Sequence, residues 1–209
     1  NGLVINTNGQ VEAGGSLLLT SGIITTTNTN ILTISNTESI CVDPLGGTAN
    51  SFVNGPLKKQ IVQGDGFKFP IGKGNILGNK LSTLSSQTGT QVWTAEYFTP
   101  NLTYTQRATP LTYVNSQEYW RVSSTNGNSA RIRIAWDPNS DLTALMTENG
   151  LEDMRVAQFN TSSNLWEEKT SSATGVPTGA LNNGYVTSDD QISIPTAGFA
   201  DFTTASVNI

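Results

Sequence analysis

The chain has no histidine, one cysteine, and no lysine or arginine before Lys58. Without histidine the usual general base and the commonest metal ligand are missing, which excludes Ser–His and Cys–His nucleophile pairs. A single cysteine excludes an internal disulfide, and Cys41, set between Ile40 and Val42, reads as a buried, inert thiol. Charged residues make up 13% of the sequence, against about a quarter in an ordinary domain. A net charge of −5 and a pI near 4.6 offer no basic face for phosphate, so nucleic acid is excluded as a partner. No apolar run is long enough for a membrane-spanning helix. Nor is there a signal peptide, and Asn1 stands in place of an initiator methionine. The expectation is a processed chain or an internal fragment of a secreted bacterial protein.

Thr, Asn, Ser and Gly take the place of charge. In the N-terminal stretch, where Glu12, Glu38 and Asp43 are the only charged side chains, neutral residues alternate with short apolar runs. Thr and Asn can stack on like neighbours without charge repulsion, which suits laddered strands. Three Leu-x-apolar pairs recur at nearly constant spacing: Leu3 and Ile5, Leu17 and Leu19, Leu32 and Ile34. Each is followed by a second apolar run, at Val11, Ile23-Ile24 and Ile40-Cys41-Val42, with glycine turns between. This repeat predicts a short β-solenoid over residues 1–57, the alternative being a plain antiparallel meander.

Five of the eleven basic residues then fall between Lys58 and Lys80, and residues 58–85 read as a linking hairpin or hinge. From residue 86 to 209 period-two alternation dominates. Ala130–Trp136 places Arg131 and Arg133 on one face and Ile132, Ile134 and Trp136 on the other; Trp120 and Val122 pair likewise. Asn126-Gly127, Asn149-Gly150 and Asn183-Gly184 supply turn dipeptides. Short strands at this spacing predict an immunoglobulin-like β-sandwich, with at most a helical turn between Asp141 and Asp153. The expected fold is therefore all-β.

The segments Leu17–Thr26, Ser51–Lys59 and Phe67–Gly74 occur in that order, followed by Glu118–Val122, Asp153–Ala157 and Gly198–Thr203. Together they resemble modules of very large secreted surface proteins of Bacteroidetes-type bacteria, the adhesin and gliding-motility class exported by the type IX system. The resemblance covers most of the chain and rests on strands and turns. It implies an extracellular, cell-surface location and a non-enzymatic structural or adhesive role, with other modules of the same protein as partners. It carries over no catalytic or binding residues. The C-terminal sorting domain usual in such cargo is not recognisable, as expected of an internal fragment.

Candidate chemistry is sparse. Glu96, Glu118, Glu167, Glu168, Asp189 and Asp190 are the carboxylates from which a glycosidase pair would have to come. Gly66 to Lys73 fails as a phosphate loop, because the spacing is one residue too long and Gly74 replaces the hydroxyl residue. Asp137, Asn139 and Asp141, with Glu148 at the twelfth position, match part of a calcium loop. Leu142 stands where that loop needs glycine, so a plain turn without a cofactor is the expectation. Trp120 and Trp136 share strand faces with Val or Ile and read as core, whereas Trp93 and Trp166 are candidates for stacking on surface glycans. The apolar strand Leu3-Val4-Ile5 is a candidate for pairing with a second copy, which would make the chain a filament subunit. A carbohydrate-binding accessory domain is the remaining alternative.

Overall fold

A computed structural model describes residues 2–5, 11–62, 66–85, 89–99, 106–125, 127–140, 142, 150–176, 183–195 and 197–207. The fold is all-β, broken only by short 3-10 turns such as Pro138–Ser140 and Gly150–Asp153 among the described residues.

The N-terminal strands are β1 (Leu3–Val4), β2 (Val11–Ala13), β3 (Leu17–Leu18), β4 (Ile24–Thr25), β5 (Leu32–Ile34), β6 (Val42–Asp43), β7 (Val53–Asn54) and β8 (Leu57–Ile61). They build three parallel ladders. One runs β1–β4–β7 and on to β10 (Ile71–Lys73), the second β2–β5–β8, the third β3–β6. The chain visits the ladders in turn, so each circuit lays one rung on each. Residues one rung apart are Leu3, Ile24 and Val53 in the first ladder, Val11, Leu32 and Leu57 in the second, Leu17 and Val42 in the third. The offsets are 21 to 29 residues. The shorter repeat expected from Leu3, Leu17 and Leu32 is corrected by this register. Those three leucines sit in three different ladders, and their partners include Ile24, Val42 and Val11, all three from the second apolar runs. Strands two or three residues long alternate too briefly for spacing alone to tell a rung from the next side of the coil.

Tight corners make such short rungs feasible. Gly55 turns the chain from β7 into β8 at φ +123°, where a Cβ would lie 2.4 Å from the carbonyl oxygen of Thr26. The Thr26 hydroxyl donates to the Pro56 carbonyl at 2.7 Å, tying successive circuits at that corner.

Residues 58–85 form shared structure where a hinge was expected. They contain most of β8, then β9 (Gly66–Lys68), β10, β11 (Ile76–Leu77) and β12 (Leu81–Ser85). Strand β8 pairs in parallel with β5 on one side and antiparallel with β13 (Gln91–Phe98) on the other. The large sheet therefore continues from the coil through β13, β15 (Tyr119–Ser124), β22 (Ala200–Ser206), β17 (Met154–Asn160) and β18 (Leu165–Lys169), with β14 (Tyr113–Val114) on β22. One buried row crosses it: Leu32, Leu57, Ala95, Val122 and Ala200 are in register from strand to strand. Facing it is a second sheet of β9, β12, β16 (Ser129–Trp136), β20 (Asn183–Ser188) and β19 (Ser171–Val176), with β21 (Ile192–Ser193) on β16.

Alternation decides what fills the space between. Trp93, Ala95, Tyr97, Trp120, Val122 and Phe202 enter from the large sheet, and Phe67, Leu81, Ile132, Ile134, Trp136 and Val186 from the facing one. The same contiguous core includes Ile5, Leu19, Ile34 and Cys41 of the coil. Burying each such side chain contributes about 1.5–3 kcal/mol, so coil and sandwich stabilise one another through shared contacts. The outer side of β17, β18 and β22 is covered separately. Leu111 and Val114 pack there on Phe159, Trp166 and Ala205, while Trp166 bonds through its backbone to Gln106 and Ala108.

Candidate binding surfaces

The outward face of β13 and β15 is the counterpart of their buried one. Thr94, Glu96 and Phe98 alternate with Trp93, Ala95 and Tyr97; Tyr119, Arg121 and Ser123 alternate with Trp120 and Val122. Cross-strand register sets Glu96 opposite Arg121, Arg121 opposite Asp201, and Phe98 opposite Tyr119. The Phe98 and Tyr119 rings stack at 4.8 Å, 8° from parallel. Arg121 bonds Asp201 through two nitrogens, Nε–Oδ1 at 2.8 Å and Nη2–Oδ2 at 2.9 Å. Its guanidinium lies 3.4 Å from the Phe199 ring centroid and 5.1 Å from that of Phe98. Burial holds the Asp201 carboxyl above the usual carboxylate range, outweighing the hydrogen bonds and charge of Arg121 that pull it down. Lys73 reaches Glu96 at 3.5 Å. A pocket of about 170 Å³ opens here at the seam between coil and sandwich, lined by Asn28, Pro56, Thr94, Glu96, Arg121 and Ser123. Gly198 and Phe199 close one side, and Phe199 is 40% exposed.

Beneath the same strands lies an ionic cluster. Lys80 Nζ donates to Glu118 Oε1 and Oε2 at 2.8 and 2.9 Å and to Ser140 Oγ at 2.9 Å, with Asp137 Oδ1 at 3.3 Å. The Tyr97 hydroxyl donates to Glu118 at 2.9 Å. Burial, and then the Glu118 charge, push the Tyr97 hydroxyl far up, so it remains a donor. This cluster accounts for part of the calcium-loop pattern. The Asp137 carboxylate already faces an ammonium and accepts from Asn139 N at 2.9 Å, which makes it the turn acceptor of Pro138–Ser140. Asp141 and Glu148 lie outside the described residues.

The Leu3–Ile5 segment sits at the edge of the first ladder among the described residues. Leu3 N donates to Ile23 O at 3.0 Å and Ile5 N to Thr25 O at 3.2 Å, so by alternation the Val4 amide and carbonyl face away from β4. Leu3 and Val4 are exposed, whereas Ile5 is buried in the core. The inward row Leu3, Ile24, Val53, Ile71 runs from an exposed end to full burial at Val53 and Ile71, as each rung covers the last. At the far end of this ladder β10 is closed by antiparallel β11.

Trp93 and Trp166, expected as glycan platforms, are corrected: both are 0% exposed. Trp93 shares the inward face of β13, and Trp166 is roofed by the 106–114 segment, so neither ring offers a face to a ligand. Among the described residues Phe98 and Tyr119 are partly exposed on the outward face and Phe199 is exposed beside them. The phase of β13 and β15 held the signal, since fixing Trp120 inward sends Tyr119 and Arg121 outward. Four of the six candidate carboxylates have partners in different places: Glu118 has Lys80, Glu168 has Arg155 at 2.6 Å, Glu167 has Asn160 at 2.7 Å, and Asp189 has Ser172 at 2.7 Å. Comparison of the chain with protein-family models, curated proteins and solved structures found no match in any of the three.

Proposed function

We propose that the chain is a non-enzymatic structural and adhesive module of an extracellular, cell-surface protein, built as a short β-solenoid continued by an immunoglobulin-like sandwich. The observation that carries this reading is the dual pairing of β8, last rung of a parallel ladder and strand of an antiparallel sheet at once. A strand with both edges bonded transmits load from coil to sandwich without a flexible joint, as a rigid spacer needs. The aromatic and polar patch at that seam supplies a weak contact face for surface glycans. Adhesion tests the reading. Beads coated with the protein should adhere to at least one glycan-coated surface even at high salt, because neutral contacts are weakly screened. Antibodies against the chain should also label intact cells of its source. Absence of both adhesion and labelling refutes the proposal.

A second reading rests on the exposed Leu3 and Val4 at a parallel edge that carries no further strand among the described residues: strand addition to another chain or copy. Closure of the other end by β11 disfavours head-to-tail stacking through this ladder and leaves β1-to-β1 pairing, which stops at a dimer. Sedimentation of the full chain against one lacking residues 1–5 tests it. A concentration-dependent dimer lost on truncation supports strand addition, and identical monomers refute it.

A further inference from the structure

The seam pocket has the size and chemistry of a site for one ring. Its volume of about 170 Å³ falls below the roughly 300–1,000 Å³ of drug-sized sites. The walls carry hydroxyls from Thr94 and Ser123, an amide from Asn28 and a carboxylate from Glu96, groups that both donate to and accept from vicinal hydroxyls. Charge there is balanced. Arg121 is held by both oxygens of Asp201, and Glu96 lies beside Lys73. An anionic ligand would have to displace a buried carboxylate, whereas a neutral polyol disturbs no ion pair. Phe199 stands at the rim as a partition, for it also lines a neighbouring cleft of about 220 Å³ with Gln158, Asn160, Glu167 and Pro195. That cleft too is polar, with an aromatic wall.

We propose that the seam pocket is a subsite for one pyranose ring of a neutral glycan, with the next ring lying in the cleft across Phe199. This rests on the adhesive reading and names its ligand class and contact residues. Phe199 supplies the apolar face against which ring C–H groups pack, and Glu96 and Asn28 bond the equatorial hydroxyls. Arg121 serves as a positioning residue: its guanidinium covers one face of Phe199 at the rim and fixes the ring, leaving the opposite face and the edge for the sugar.

The test is a titration of the intact protein with methyl glycosides of neutral hexoses and hexose disaccharides, followed by saturation-transfer NMR and calorimetry. A methyl glucuronide serves as the anionic control. The expected result is millimolar affinity, tighter for disaccharides than for single rings, with no advantage for the glucuronide. Phe199→Ala should weaken binding about tenfold or more, the loss of one good contact, and Glu96→Gln by a few-fold. Phe199 is partly exposed, so circular dichroism of the variant should match that of the native protein. Absence of binding by any neutral glycoside, or undiminished binding by Phe199→Ala, overturns the subsite. Bead adhesion that persists in Phe199→Ala refutes the subsite alone, whereas native beads that adhere nowhere while glycosides still titrate refute the adhesive reading alone.

Discussion

Removing Lys80 alone should cost more than removing it together with its partner. Lys80 and Glu118 have side chains 7% and 3% exposed, and their contact is bidentate at 2.8 and 2.9 Å. In Lys80→Met the Glu118 carboxylate keeps one side-chain donor, the Tyr97 hydroxyl at 2.9 Å. Stranding a buried charge in this way costs about 3–5 kcal/mol. Glu118→Gln strands the ammonium instead, but Ser140 and the half-exposed Asp137 still face it, so the loss should lie at the lower end of that range. The double variant Lys80→Met/Glu118→Leu leaves neither charge, and its stability should return to within about 1–2 kcal/mol of native, since apolar replacement of a buried pair is often neutral or better. Urea unfolding followed by tryptophan emission gives the three values at constant m. Because the pair is buried, the coupling should change little with salt. Single variants within about 0.5 kcal/mol of native, in the ordinary range of surface substitutions, would show that water reaches the cluster and that the reasoning is wrong.

Three other substitutions probe the packing. Gly78→Ala would set a Cβ 2.2 Å from the Tyr97 ring, which is pinned against Trp120 at a centroid distance of 5.5 Å, while the Gly78 carbonyl accepts from the Trp120 indole. A loss of about 3 kcal/mol or more is expected, and a melting temperature equal to the native one would contradict the packing. Trp166→Ala should cost about 3–5 kcal/mol as a core truncation; a neutral result would return Trp166 to the surface role that its burial excludes. Asp201 has a raised folded pKa, so the folded state binds its proton more readily than the unfolded one. Its contribution is therefore most favourable at or below the ordinary value of 3.8 and declines as pH rises through the folded pKa. Native stability relative to Asp201→Asn should accordingly fall as pH is raised from about 3.8 toward neutrality, and a rise over that interval would refute the sign.

The sandwich strands were legible because they are long enough to show phase. Six residues of alternation in β15 and eight in β16 leave one choice of inward face, and Trp120, Ile132, Ile134 and Trp136 all lie on it. In the N-terminal segment the strand character was legible and the register was not. Rungs such as Leu17–Leu18 and Ile24–Thr25 hold two residues each, so only pairing reveals which rung lies on which. Asn183-Gly184 shows the limit of turn dipeptides, for both residues sit in β20, paired with Val176 and Gly175. The seam patch was hidden for a different reason. It joins Asn28, Thr94, Arg121 and Phe199, residues far apart in sequence that meet only once β8 has brought coil and sandwich into one sheet.

Two native reporters test whether coil and sandwich are one body. Cys41, the single cysteine, is 2% exposed in the coil, and the four tryptophans, Trp93, Trp120, Trp136 and Trp166, all lie in the sandwich. Burial also raises the Cys41 thiol above its ordinary pKa, so reaction with a thiol reagent requires it to be uncovered first. Thiol reactivity and tryptophan emission are to be followed across the same urea titration. The shared row Leu32–Leu57–Ala95–Val122–Ala200 predicts coincident transitions with one midpoint. Reaction of Cys41 at a lower urea concentration, while tryptophan emission is still native, would show that the coil opens alone and would contradict the rigid module.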